Sequence, residues 1–199
     1  MNRFYALRPT LVLLGIFTLL TGVIYPLSVT AVAHAAFPKQ AHGSLVQRDG
    51  KVVGSDLIGQ PFADPKYFWS RPSATTPFEY NAGSSSASNL GPSNPALRQR
   101  VEERIAALRA ADPENLDPIP IDLVTTSASG LDPHISPAAA LYQVSRVAKA
   151  RGLAPDRVTQ LVYTFVKRPA LGLLGAPHVN VLHLNLALDS MVENQPSTK

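Results

Sequence analysis

The sequence predicts an α+β fold, with one N-terminal transmembrane helix followed by a single soluble mixed α/β domain. Three observations predict it. The run Leu11 to Ala36 is apolar, and no formal charge occurs between Arg8 and Lys39. Asp49-Gly50 separates two short β-prone runs. Asn94-Pro95, Ser136-Pro137 and Pro155-Asp156 each open a stretch with apolar residues at helical spacing. The resulting division is 1–10 as a cytoplasmic flank, 11–36 as the transmembrane helix and 37–199 as the soluble domain.

At 1.5 Å of rise per residue, roughly 20 apolar residues cross a hydrocarbon core of about 30 Å, and this run is longer. Pro26 is expected to kink the helix, with Tyr5, Tyr25 and Phe37 as interfacial residues. A cleaved secretory signal is the alternative: Arg3 and Arg8 form a basic start, and Ala31-Val32-Ala33 and Ala33-His34-Ala35 are small-x-small sites. That alternative makes the rest a secreted or periplasmic binding module. The apolar core exceeds the 7–15 residues usual for a signal, which favours an anchor. Arg3 and Arg8 set the N-terminus inside, so the domain is expected on the periplasmic or extracellular side.

About 160 residues behind the span suffice for one ordinary core. Setting aside Arg3 and Arg8 leaves 16 basic against 14 acidic residues, too even a balance for nucleic acid binding. There is no cysteine, hence no disulfide and no thiolate metal site. The 18 prolines point to short elements joined by fixed turns.

In chain order, 43–55 reads as a hairpin turning at Asp49-Gly50. Tyr67-Phe68-Trp69 with Arg71-Pro72 is either a hydrophobic clamp, Arg71 stacking on a ring or capping carbonyls, or a partner-binding surface. Residues 80–94, rich in Ser, Gly and Asn, form a loop; its amides suit an anion, but no Gly-Lys-Ser/Thr ending follows. Asn94 caps a helix with Leu97, Val101, Ile105 and Leu108 as its apolar stripe and Arg98 to Arg109 largely as its solvated face, ended by Asp112-Pro113. Residues 119–126 read as a buried strand and 127–137 as a rigid connection. Ser136 caps a second helix, with Leu141, Val144 and Ala148 inward, closing at Gly152. A third helix presents Val158, Leu161, Val162 and Phe165. Residues 179–188 alternate leucines in the manner of a half-buried strand, and also admit a helix.

Catalytic patterns are missing. The five histidines lack metal-ligand spacing, and there is no Gly-x-Ser-x-Gly, HExxH or Walker motif. Asp132 and His134 are near neighbours, yet no nucleophile accompanies them, since Ser136 is explained as a helix cap. No metal ligand and no catalytic residue is assigned.

Seven motifs carry a family resemblance. They are Asp56-Leu57-Ile58-Gly59-Gln60; Tyr67-Phe68 with Arg71-Pro72-Ser73-Ala74; Ser88-Asn89-Leu90-Gly91-Pro92-Ser93-Asn94; Pro120 to Thr125; Gly130-Leu131-Asp132-Pro133-His134-Ile135-Ser136-Pro137; Gln143 with Arg146-Val147-Ala148; and Val179 to Leu182 with Leu184 to Asp189. In this order behind one apolar segment, the chain resembles the C subunit of the Kdp potassium-transporting ATPase over nearly its whole length.

The resemblance implies an uncleaved anchor in the bacterial inner membrane. It also implies an accessory, non-catalytic subunit of a potassium-uptake P-type ATPase. Its implied partners are a channel-like potassium-translocating subunit, an ATP-hydrolysing subunit and a small membrane subunit. The resemblance further implies a catalytic chaperone that raises the ATP affinity of the hydrolysing subunit, with ATP shared and not permanently bound, and Gln143 as the nucleotide-associated residue. Leu141, Val144 and Ala148 as the buried stripe leave Gln143 and Arg146 on a more polar face, where an amide and a guanidinium suit adenine and phosphate. The alternative is that Gln143 satisfies backbone of the turn before Ser136. Tyr67, Phe68, Arg71, Asn89, Asp132 and His134 are expected as partner-facing or structural positions. Ser85-Ser86-Ala87-Ser88 stands where the family has Ser-Gly-Gly-Ser, and Ala176 replaces a glutamate. An external domain and a role beside cytosolic ATP pull in opposite directions.

Overall fold

The computed structural model describes residues 6–169, 171, 172 and 174–193, and divides into two units, 1–45 and 46–199. Arg3 and Tyr5 lie outside the described residues.

The first unit is dominated by a continuous 30-residue helix, Leu7–Ala36, with an 18-residue stretch of mean hydropathy 2.1 and no residue buried in protein. It consists of α1 (Leu7–Leu19), a π turn at Leu20–Ile24 and α2 (Tyr25–Ala36). Pro26 was expected to kink the helix; the π turn immediately before it keeps the run helical by widening the ladder where the proline supplies no N–H. Thr10 and Thr21 donate their hydroxyls to the carbonyls of Ala6 and Phe17, four residues back, so neither leaves an unpaired donor on the apolar surface. A single turn, α3 (Pro38–Ala41), follows.

The expected hairpin of β1 (Leu45–Arg48) and β2 (Lys51–Ser55) opens at the boundary, all but Leu45 of it in the second unit. Asp49 and Gly50 both adopt left-handed backbone, φ 52° and 74°, as a type I′ turn requires. Chain without regular structure runs to α4 (Pro95–Ala111), where the Asn94 side chain accepts from the Ala96 amide and Asp112 ends the helix. The stripe of α4 differs from expectation. Leu108 is buried and Leu97 and Val101 half-buried, but Ile105 is exposed and Arg104, assigned to the solvated face, turns inward.

Residues 119–126 are not a strand. Pro118 and Pro120 cannot donate to a ladder, Ile121–Leu123 forms a single 3₁₀ turn, and the Asp122 carboxylate accepts instead from the Ser136 main chain and hydroxyl at 2.7 and 3.1 Å. Leu123 is nonetheless fully buried. The expected second helix is two, α5 (Pro137–Tyr142) and α6 (Val144–Arg151), capped by Ser136 and closed by left-handed Gly152. Helix α7 (Pro155–Phe165) buries Val158 and Val162. The leucine run is also a helix: only Val179–Asn180 (β4) is extended, paired antiparallel with β3 (His134–Ile135), and α8 is Val181–Glu193. Val181, Leu184, Asn185 and Leu188, at helical spacing, are all buried, so the 3.6-residue period overrides the alternation. Helices α5, α6 and α8 pack around α7, with Phe68 and Trp69 in the same core.

Candidate functional site: a segment strapped by side-chain amides

The chain from Asp64 to Arg71, a turn over 64–67 followed by a segment without regular structure, lies across the helical core without a strand partner, and buried main-chain polar groups must still be paired. Side chains do the pairing. Gln143, at the junction of α5 and α6, accepts from the Trp69 amide at 2.7 Å and donates to the Trp69 carbonyl at 3.2 Å. Asn185 on α8 does the same for Phe68, at 2.8 and 3.0 Å. A carboxamide carries the same donor and acceptor as a peptide group, so these two side chains replace a neighbouring strand.

Guanidinium groups complete the strap. Arg146 donates to the carbonyls of Pro65 and Tyr67 and to Gln143 Oε1, and lies 4.3 Å from the Trp69 ring centroid. Burial lowers its pKa to about 10, which leaves it charged at neutral pH. Arg104 approaches the same ring at 5.6 Å and donates to the carbonyls of Ser70 and Leu123. Arg151 bonds the Lys66 carbonyl at 2.7 Å and Asp189 at 2.6 Å, above the Tyr67 ring, whose hydroxyl donates to Asp189.

Gln143 and Arg146 were expected on a polar face. They are instead 1% and 5% exposed. The amide of Gln143 donates to Trp69 and Ala139 and accepts from Trp69 and Arg146, which uses all four of its hydrogen-bonding positions. The backbone it satisfies belongs to the aromatic segment, not to the turn before Ser136.

Arg71, Asp132 and His134 converge elsewhere. Arg71 caps the Thr126 carbonyl at 3.3 Å and pairs with Asp132 at 3.1 Å, while Asp132 accepts from the His134 main chain at 3.0 Å and its ring at 3.3 Å. With Ala176, Pro177 and His178 they line an open cleft of about 660 Å³. The Tyr80 hydroxyl donates to the Arg71 carbonyl, and burial pushes its pKa up to about 12. Phe68 is wholly buried, and Asn89 is exposed at a left-handed position, φ 51°. The Ser-rich loop is pinned to the turn before β3, Ser86 donating to the Ser129 carbonyl at 3.0 Å and Ser85 to the same oxygen.

Sequence reasoning missed Asn185, Arg104 and Arg151. A lone amide in a leucine run was the available signal for Asn185, since a buried amide needs a partner. Nothing in the spacing marks the two arginines.

Among the described residues, one helix fit to cross a membrane, joined to an α+β unit whose Gln143, Asn185 and Arg146 side chains hold its own main chain, defines a membrane-anchored protein with a folded extramembrane part. The matching family is the K+-transporting ATPase, c chain, over residues 7–190, and the chain belongs to it. A potassium-transporting ATPase KdpC subunit of Sorangium cellulosum is 64% identical over 183 residues, 92% of this chain and 96% of that one. Those of Polaromonas naphthalenivorans and Methylococcus capsulatus are 63% and 58% identical, each over 92–93% of this chain and 94–97% of the relative.

Proposed function

We propose that the chain is the accessory subunit of an ATP-driven potassium uptake complex, acting in assembly and without a catalytic centre of its own. The helix Leu7–Ala36 holds it in the inner membrane with the N-terminus inside, and the α+β unit stands outside, against the channel-like subunit. The small membrane subunit and the ATP-hydrolysing subunit complete the complex. One observation carries the assembly reading over the nucleotide-chaperone reading: the amide of Gln143 is fully engaged within the domain, so contact with adenine would require breaking the strap on Trp69.

Gln143→Ala in the otherwise complete complex tests it. The expected result is a lower yield of assembled complex, with the apparent ATP affinity of the intact fraction within twofold of wild type. A fully assembled complex whose ATP affinity falls severalfold would overturn the assembly reading in favour of the chaperone.

A further inference from the structure

We propose that the loop 168–177, between α7 and β4, docks on the membrane: its leucine tip enters the bilayer interface on the side where the α+β unit stands, and Lys167 and Arg168 meet anionic headgroups. The loop is closed by an antiparallel bridge between Lys167 and His178, whose main chains exchange both hydrogen bonds, at 2.9 and 3.1 Å. Its stem is fixed further. His178 leads directly into β4, its ring meets that of His134 on β3 edge-on at 4.5 Å, and its Nδ1 lies 2.9 Å from the Ala176 carbonyl.

The tip is apolar and turned outward. Leu171 is 90% exposed and Leu174 66% exposed, and Gly172, Gly175, Ala176 and Pro177 beside them are exposed as well. A turn closed by the Gly172 amide on the Pro169 carbonyl at 3.0 Å holds Leu171 at φ 55°, a left-handed conformation that a bulky apolar residue adopts only at a cost. Neither burial within the domain nor backbone preference accounts for leucine at that place, so its favourable contact lies outside the domain.

The charge of the loop selects a bilayer over a protein groove. Residues 167–178 include Lys167 and Arg168, both exposed, and no Asp or Glu, and among the described residues no carboxylate pairs with either cation. Leucines at the tip and cations at the stem follow the order of the interface itself, acyl chains within and anionic headgroups at the surface. Tyr163, 60% exposed in the last turn of α7 and four residues before Lys167, adds a ring of the kind that settles at headgroup depth. A tip of leucine, glycine and alanine side chains offers no directional polar group for a protein to recognise, whereas insertion among acyl chains needs none. The bilayer is within reach of the tether: eight residues, 37–44, separate the end of the apolar helix from β1. The proposal thereby rests on Leu7–Ala36 being a retained anchor.

The chain has no cysteine, so a single introduced cysteine carries a fluorophore without background. Leu174→Cys, Leu116→Cys and Phe17→Cys, all exposed positions, are each labelled with nitrobenzoxadiazole in the full-length chain and reconstituted into vesicles of equal parts phosphatidylglycerol and phosphatidylcholine, with and without doxyl quenchers on the acyl chains. Expected is at least a twofold loss of emission for the Leu174 and Phe17 labels and none for the Leu116 label, on a leucine 85% exposed in the chain after α4. Lys167→Gln combined with Arg168→Gln should at least halve the Leu174 quenching in these vesicles and leave it unchanged in phosphatidylcholine alone, a dependence on lipid charge that a structural role does not produce. Unchanged quenching in the double variant would overturn the assignment of the headgroups to these two cations, and equal quenching of the Leu116 label would overturn a specific contact by the loop. A Phe17 label in lipid beside a Leu174 label in water would overturn the docking loop and keep the anchor; a Phe17 label in water would overturn the anchor and the loop with it. A Leu174 label that leaves water only when the other subunits are added, without lipid quenching, would overturn the membrane in favour of a protein groove.

Discussion

The side-chain amide of Gln143 pairs with the main chain of Trp69 as one strand residue pairs with another, at 2.7 Å in one direction and 3.2 Å in the other. Asn185 repeats the arrangement on Phe68 one residue earlier, from a different helix. Two amides thereby tie the aromatic segment to α5, α6 and α8, and deletion of either leaves a buried N–H and a buried C=O unpaired. Gln143→Ala and Asn185→Ala should each cost about 2–4 kcal/mol, since each unpaired buried group costs about 1–3 kcal/mol. Gln143→Glu should be nearly as damaging, because a carboxylate accepts from Trp69 but cannot donate to the Trp69 and Ala139 carbonyls. Thermal unfolding of the soluble unit followed by tryptophan fluorescence measures this; variants that melt with wild type would show that the strap does not stabilise the fold.

Gly130 sits at φ 67°, and a β-carbon there would stand 2.6 Å from the Ser86 carbonyl oxygen and 2.7 Å from Thr75 Cγ2. Both the backbone conformation and the space exclude a side chain. Gly130→Ala should therefore separate the Ser-rich loop from the turn before β3 and lower stability by about 2–3 kcal/mol. Hydrogen exchange should show the Ser86 amide, bonded to Ser129 at 3.0 Å, losing its protection first. Unchanged protection at Ser86 would mean that the loop is not held by this contact.

The elements that could be read from sequence are those fixed by local chemistry. Asp49-Gly50 turns a hairpin, Asn94 and Ser136 cap helices with the expected amides, and Gly152 closes one in left-handed backbone. What could not be read depends on the fold as a whole. The main-chain N–H of Gln143 donates to the Ala140 carbonyl, three residues back instead of four, and this tightened turn shifts the phase of α6 relative to α5. A stripe drawn through Leu141, Val144 and Ala148 as one helix consequently places Gln143 and Arg146 outside, whereas the structure buries both. The strand expected over 119–126 failed for a local reason, its prolines, combined with a distant one, the Ser136 groups that occupy Asp122. The leucine alternation in 182–188 fits two periods, and burial of Asn185 with Leu184 and Leu188 decided for the helix.

Asp132 titrates below the ordinary carboxylate value. Burial pushes it up, but the hydrogen bonds from the His134 ring and main chain and the charge of Arg71 outweigh that. A carboxylate with a depressed folded pKa binds its proton more readily when unfolded, so its contribution is present in full above about pH 4. That contribution disappears as pH falls through the lower folded value. Asp132→Asn should therefore reduce Tm at pH 7 and flatten the acid limb of Tm against pH below about 4. Circular dichroism melts at successive pH values give both quantities; an acid limb as steep as that of wild type would place the acid sensitivity on another carboxylate.

The helix Leu7–Ala36 has no residue buried in protein, and its Thr10 and Thr21 hydroxyls are paired within it, so neither hydroxyl presents an unsatisfied donor to lipid. A segment of 30 residues at 1.5 Å each is about 45 Å long, more than the hydrocarbon core, and a retained anchor accommodates the excess by tilting. The only formal charge within it is Arg8, at its N-terminal end, and basic residues stay preferentially on the cytoplasmic side. The α+β unit should then be reached from outside. Protease added to intact spheroplasts should remove that unit while a cytosolic marker survives, and mass spectrometry of the membrane fraction should find the chain starting at its native Met1 end. Protection until lysis would reverse the orientation and bring the unit to the side where ATP is held. A mature chain starting near Ala35 would instead make the helix a cleaved signal and the remainder a released protein.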